Sequence, residues 1–152
     1  MNTLALDPGK VTGWAIATDN ILDQTGEYEW GVFCGQLLDS LWVSTENELR
    51  FCDVKIDEVV CERFLITERT LKVARQMEPL YTIGVVVAVC KWFGVPLVFQ
   101  TATEAKQLVP DSRLRLMGWY VPKGHARDAV RHLVRRLVVT RELAPSNLRG
   151  EW

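Results

Sequence analysis

The sequence predicts an α/β fold, a five-stranded mixed sheet with helices on both faces. Three observations carry that prediction. Short β-rich runs alternate with stretches of helical periodicity in the order β-β-β-α-β-α-β-α. Two of the runs, Leu4–Asp7 and Asp57–Glu62, end in an acid, and open α/β sheets place their ligands at the carboxyl ends of strands. Finally, 152 residues with 48% apolar and 24% charged side chains suit one globular domain with a core of two or three layers. That domain is expected over residues 1–143, with 144–152 a loose tail.

Taken in order, Leu4 and Leu6 share one face of the first strand, and Ala5 and Asp7 share the other. Pro8-Gly9 turns the chain, and Thr12-Gly13 returns it to the sheet as a second strand, Trp14–Thr18. Asp19–Gly26 reads as a polar connection and Tyr28–Cys34 as an antiparallel third strand. After Gly35 a helix is expected from about Gln36 to Cys52, with Leu37, Leu38, Leu41 and Leu49 among its apolar positions. The fourth strand, Asp57–Glu62, should return parallel to the first by a right-handed crossover.

Arg63–Thr67 reads as a loop with Thr67 as N-cap, and Glu68 begins a helix running to about Phe93. Pro79 must kink that helix or start a second one. Leu80–Cys90 is apolar on nearly every face, which suits core or a subunit interface. Pro96–Gln100 is the fifth strand, and Ala102–Leu108 and Ser112–Met117 are short helices. The last helix spans His125 to about Leu143.

The net charge of −1 conceals an asymmetry. Residues 1–62 carry 3 Lys/Arg against 12 Asp/Glu, whereas residues 63–152 carry 15 against 7. The second half could therefore face a polyanion, or the two halves could be solvated faces that offset each other. No secretory signal is apparent, and the longest charge-free apolar run, Pro79–Cys90, is too short to span a bilayer. Cys34, Cys52, Cys61 and Cys90 lack metal-site spacing and read as buried thiols in a reducing, cytoplasmic compartment.

Four candidate site residues emerge. Asp7 and Glu62 end strands expected to be neighbours, and His125 and Asp128 lie one helical turn apart on the last helix. Around that helix Ala126, Ala129, Val130, Leu133, Val134 and Leu137 make the apolar arc. His125, Asp128 and His132 border it, and Arg127, Arg131 and Arg135 form a basic stripe. Asp7 alone could be a surface acid capping a turn, and Asp128 could pair with Arg131. Converging carboxylates, however, repel unless one is protonated or a cation neutralises them, and oxygen ligands suit Mg²⁺ or Mn²⁺. A pair of such ions would support in-line phosphodiester hydrolysis. Arg69, Lys72 and Arg75 recur every three residues and form one polar stripe.

LALDPGKVTGWA at the start, VVCERF at the fourth strand and GHARDAVRHL in the last helix together resemble a RuvC-type Holliday junction resolvase of the RNase H-like superfamily, in its compact bacteriophage form. The resemblance extends over residues 3–137. It implies that Asp7, Glu62 and Asp128 are metal ligands, with His125 in a position where the family carries Asp or His. It also implies Mg²⁺ (or Mn²⁺) as cofactor, two ions per site, and a homodimer that nicks opposed strands of a four-way junction. No membrane partner or small-molecule cofactor is expected. Phe64 falls near the family's junction-wedging aromatic, and Arg63 beside it is read as a further DNA contact. Lys106 resembles a phosphate-binding lysine, Arg69, Lys72 and Arg75 are read as backbone contacts, and His132 as structural. A YqgF-like nuclease acting on RNA shares the first motif. So do ATPases of the actin and hexokinase fold, which need two domains and a longer chain. A DNA-binding module without catalysis is disfavoured by the intact acids.

Overall fold

The computed structural model describes residues 1–43, 47–64 and 77–140. Strands β1 (Asn2–Asp7), β2 (Val11–Thr18) and β3 (Ile21–Glu29) form a meander that runs directly into helix α1 (Trp30–Val43). A small hairpin, β4 (Arg50–Phe51) and β5 (Val54–Lys55), precedes β6 (Glu58–Glu62). Then come α2 (Glu78–Phe93), β7 (Leu97–Gln100), α3 (Ala102–Leu108), α4 (Asp111–Met117) and α5 (Gly124–Val139). The main sheet has the order β3-β2-β1-β6-β7, in which β1, β6 and β7 are parallel and β2 and β3 antiparallel. This is the mixed five-stranded sheet predicted from the sequence.

Alternation along β1 sorts the core into two layers. Leu4 and Leu6 pack with Ile16, Val59 and Cys61 against Phe33 and Leu37 of α1 and Val86 and Val89 of α2. On the other face Ala5, Ala15, Ala17 and Val60 meet Ala129, Val130, Leu133, Val134 and Leu137 of α5. Small side chains on that face let α5 lie close to the sheet. The closest approach is at Gly13, where an added Cβ would sit 2.0 Å from the His125 carbonyl oxygen. Gly13 is thus required by the seat of α5, beyond the turn chemistry that its Thr-Gly context suggests.

Several boundaries differ from the sequence reading. The third strand is Ile21–Glu29, and Trp30–Cys34, expected to be extended, begins α1. Asp19 and Asn20 both adopt positive φ, giving a two-residue hairpin turn where a longer connection was expected. The run YEWGVFC fits either period, and burial of Phe33, Cys34 and Leu37 on one helical face decides for helix. That helix, Trp30–Val43 among the described residues, does not include Cys52, and Gly35 lies inside it. Cys52 and Asp53 are left-handed residues in the turn of the β4–β5 hairpin. Pro79 stands in the first turn of α2, so a helix starts there.

In α2, Thr82, Val86, Val89 and Cys90 are buried, but Tyr81, Val87 and Trp92 are exposed, so the helix buries one face and not its whole circumference. Residues 65–76, which include Thr67, Glu68, Arg69, Lys72 and Arg75, lie outside the described residues, as do the end of the predicted last helix and the tail 144–152. All four cysteines are free; three are buried and Cys52 is half-buried. Among the described residues no helix is long and apolar enough to cross a membrane.

Candidate active site

Parallel pairing of Ala5 with Val60 and Leu6 with Cys61 brings the ends of β1 and β6 side by side. Asp7 and Glu62 are the next residues on the two strands, on the face that carries α5. β7 pairs with β6 so that Gln100 lies beside Glu62. The N-terminal turns of α5 close the site from above with His125 and Asp128.

α5 begins without a side-chain cap from its own flanking sequence. Its cap comes from β3: Glu27 Oε1 accepts the backbone N–H groups of His125 at 2.9 Å and Ala126 at 3.1 Å. A carboxylate there satisfies orphan donors and complements the helix dipole. Glu27 pairs with Gly13 across β2–β3. The same spot therefore provides both the space for α5 and the charge that anchors it. Glu27 is not marked as a cap by the sequence around it. The signal was indirect: the segment ahead of α5, Val-Pro-Lys-Gly, offers no local Ser, Thr, Asp or Asn cap.

Each acid accepts a nitrogen donor. His125 Nδ1 lies 2.8 Å from Asp7 Oδ2. With Asp7 ionised, Nδ1–H donates, which leaves the Nε2 lone pair of a half-exposed ring free for a ligand. His132 Nε2 lies 2.9 Å from Glu62 Oε2. Asp128 is engaged twice, by the Arg131 guanidinium and by Lys106 Nζ at 3.1 Å. Arg131 belongs to the basic stripe read from the sequence, and it is buried. α3 and α4 cover that flank of α5, and the guanidinium donates to the Val109 carbonyl and pairs with Asp111. The Asp128–Arg131 pair weighed against metal ligation in the sequence is thus present.

The electrostatics identify where positive charge is short. Asp7 is pushed up to about 6, first by burial and then by the negative charge of Glu62, with Asp128 adding to the rise and the His125 hydrogen bond opposing it. A cation beside Asp7 would relieve all three raising effects, and the donor set of carboxylates plus one imidazole suits Mg²⁺ or Mn²⁺. Asp7 and Glu62 are the acids whose charge such a cation would offset, while His125 spends Nδ1 on Asp7 and turns Nε2 away from it. Among the described residues no group of three or more His, Cys, Asp or Glu stands within common ligand distance of one point.

Of the predicted DNA contacts, Lys106 stands exposed at the rim beside Asp128. Arg63 is exposed, with its backbone N–H donated to the Gln100 carbonyl at 2.7 Å, and Phe64 is half-buried.

No family profile and no curated protein matches the sequence. Solved structures do match. The T. thermophilus RuvC in complex with Holliday junction substrate superposes with a TM-score of 0.66 at 15% identity, covering 93% of this chain and 95% of that one. A Thermus thermophilus RuvC structure superposes with a TM-score of 0.61 at 15% identity, covering 93% and 96%. The chain has the RNase H-like fold of those RuvC structures.

Proposed function

We propose that this chain is a divalent-metal-dependent endonuclease that cleaves four-way DNA junctions, working as a homodimer. The observation that carries the reading is the meeting of Asp7, Glu62, His125 and Asp128 where β1, β6 and α5 converge. The fold is shared with a RuvC bound to a Holliday junction, which supports junction DNA as the substrate. Mg²⁺ or Mn²⁺, when bound, supplies charge neutralisation at the scissile phosphate and acidifies the attacking water. Asp7 and Glu62 would hold the ion, and His125 holds the Asp7 carboxylate through Nδ1. Lys106 stands ready to receive the phosphate at the rim. Arg63, Arg69, Lys72 and Arg75 hold the arms, since phosphate contacts dominate such affinity, and Phe64 wedges between junction bases.

An apolar outer face supports the homodimer. Trp30, Leu38, Leu41 and Trp42 of α1 and Tyr81, Val87 and Trp92 of α2 are all exposed on the described chain. So much exposed apolar area on one helical layer is the mark of an association surface.

The engagement of Asp128 by Arg131 and Lys106 favours a second reading, a branched-DNA-binding module without cleavage. One experiment separates the two: a labelled four-way junction and a matched duplex, each with and without Mg²⁺. Paired nicks in the junction arms that need Mg²⁺ are expected. Tight junction binding with no nick in Mg²⁺ or Mn²⁺ would instead establish the second reading.

A further inference from the structure

We infer that His132 is a positioning residue that fixes the Glu62 carboxylate for its ligand through an Nε2–H donor. The inference rests on the metal-dependent reading above. His132 is 1% exposed, on the buried face of α5. Both of its ring nitrogens are engaged, Nε2 at 2.9 Å from Glu62 Oε2 and Nδ1 at 3.1 Å from Gln100 Oε1. Glu62 and Gln100 are themselves register partners on β6 and β7, so the imidazole braces the last residues of two strands at once.

The donor count settles which nitrogen carries the proton. A carboxylate only accepts, so the atom facing Glu62 must be N–H. In a neutral ring Nδ1 is then bare and needs a donor. As placed, Gln100 turns its oxygen to Nδ1 while its buried Nε2 has no partner. Turning the amide over about Cγ–Cδ lets the –NH₂ donate to Nδ1, so the buried donor gains a partner and the carbonyl oxygen takes its former place. The chain reads Gln100 → His132 → Glu62, each step an N–H donated toward the site. It fixes one Glu62 oxygen and leaves the other for a ligand. The hydrogen-bonded partners of metal-binding carboxylates act in this way, and losing one typically costs 10–100-fold in metal affinity.

Two amide substitutions separate positioning from packing. Gln at 132 places its –NH₂ where Nε2 stands and keeps the Glu62 contact. Asn at 132 mimics Nδ1 and keeps the Gln100 contact alone. Mn²⁺ titration of the full chain without DNA, followed by the loss of free-ion electron paramagnetic resonance signal, should show His132→Gln within threefold of wild type. His132→Asn should be weaker by tenfold or more, with thermal melting reported for both. Equal Mn²⁺ affinity in the two variants would overturn the inference.

A measurement on the wild type needs no variant to fold. With only two histidines in the chain, ¹⁵N imidazole spectra should assign His132 a protonated Nε2, and a bare Nε2 would overturn the inference. Asp7→Asn serves as the control. If it loses Mn²⁺ while His132→Asn keeps it, this inference alone fails. If wild type and Asp7→Asn both bind none, the metal reading fails and takes this one with it.

Discussion

Asp7 is held under electrostatic tension. Its carboxyl is pushed up to about 6 from an ordinary value of 3.8, by burial first and by Glu62 next. Such an acid binds its proton more tightly folded than unfolded, so its stabilising contribution is full below pH 4. The contribution is lost as pH rises through about 6. At neutral pH the ionised group costs the fold on the order of 2–3 kcal/mol. Asp7→Asn removes that charge and should melt several degrees above wild type at pH 7.5, with the gap closing near pH 4. The same variant should abolish Mg²⁺-dependent nicking while junction binding persists. Calorimetric melts across pH check the first claim, and equal melting at pH 7.5 would refute it. The placement of Asp7, Glu62, His125 and Asp128 was legible in the sequence because strand ends and an i, i+3 spacing fix where such residues go. The burial of Arg131 was not, since its place at 100° spacing among Arg127 and Arg135 cannot reveal that α3 and α4 cover it.

At the scale of elements, the seat of α5 decides whether the site exists. Gly13 gives the helix room and Glu27 caps its first turn. Gly13→Ala should drive the His125 carbonyl off the sheet, costing about 3 kcal/mol and nearly all cleavage. Glu27→Ala loses a cap worth about 1 kcal/mol, yet its cleavage should fall further than that stability loss explains. Glu29→Ala, two residues along the same strand and exposed, should do neither. Chemical denaturation with single-turnover cleavage checks all three, and a fully active Gly13→Ala would refute the close-packing argument. The β3–α1 boundary escaped the sequence because Tyr28–Cys34 satisfies a period of two nearly as well as 3.6. The cap escaped it because Glu27 and His125 are 98 residues apart. Local pattern identifies elements, whereas contacts across the sheet decide how they are joined.

For the whole molecule, the acidic first half and basic second half meet at the site, with Asp7 from one and α5 from the other. Reversing Lys72 and Arg75 to Glu should weaken junction binding and reduce the salt slope by about one per lost phosphate contact. An unchanged slope would place the DNA surface elsewhere. Val87→Lys or Trp92→Glu, on the exposed face of α2, should yield monomers by sedimentation that still bind Mn²⁺ but no longer make paired cuts. A wild-type monomer at cleaving concentrations would remove the dimer from the reading. The two-layer arrangement carries one more consequence. The apolar face lies on the α1–α2 layer, and the acids lie on the opposite side of the sheet with α5. Two copies joined through α1 and α2 would interpose two helical layers between their sheets, setting the acids roughly 30 Å apart. The strands of one duplex are separated by a minor groove of about 6 Å. A substrate that occupies both centres at once must therefore offer scissile phosphates about 30 Å apart, as separate arms do and strands facing across one groove do not. Linear duplex should yield single nicks at most and never a double-strand break.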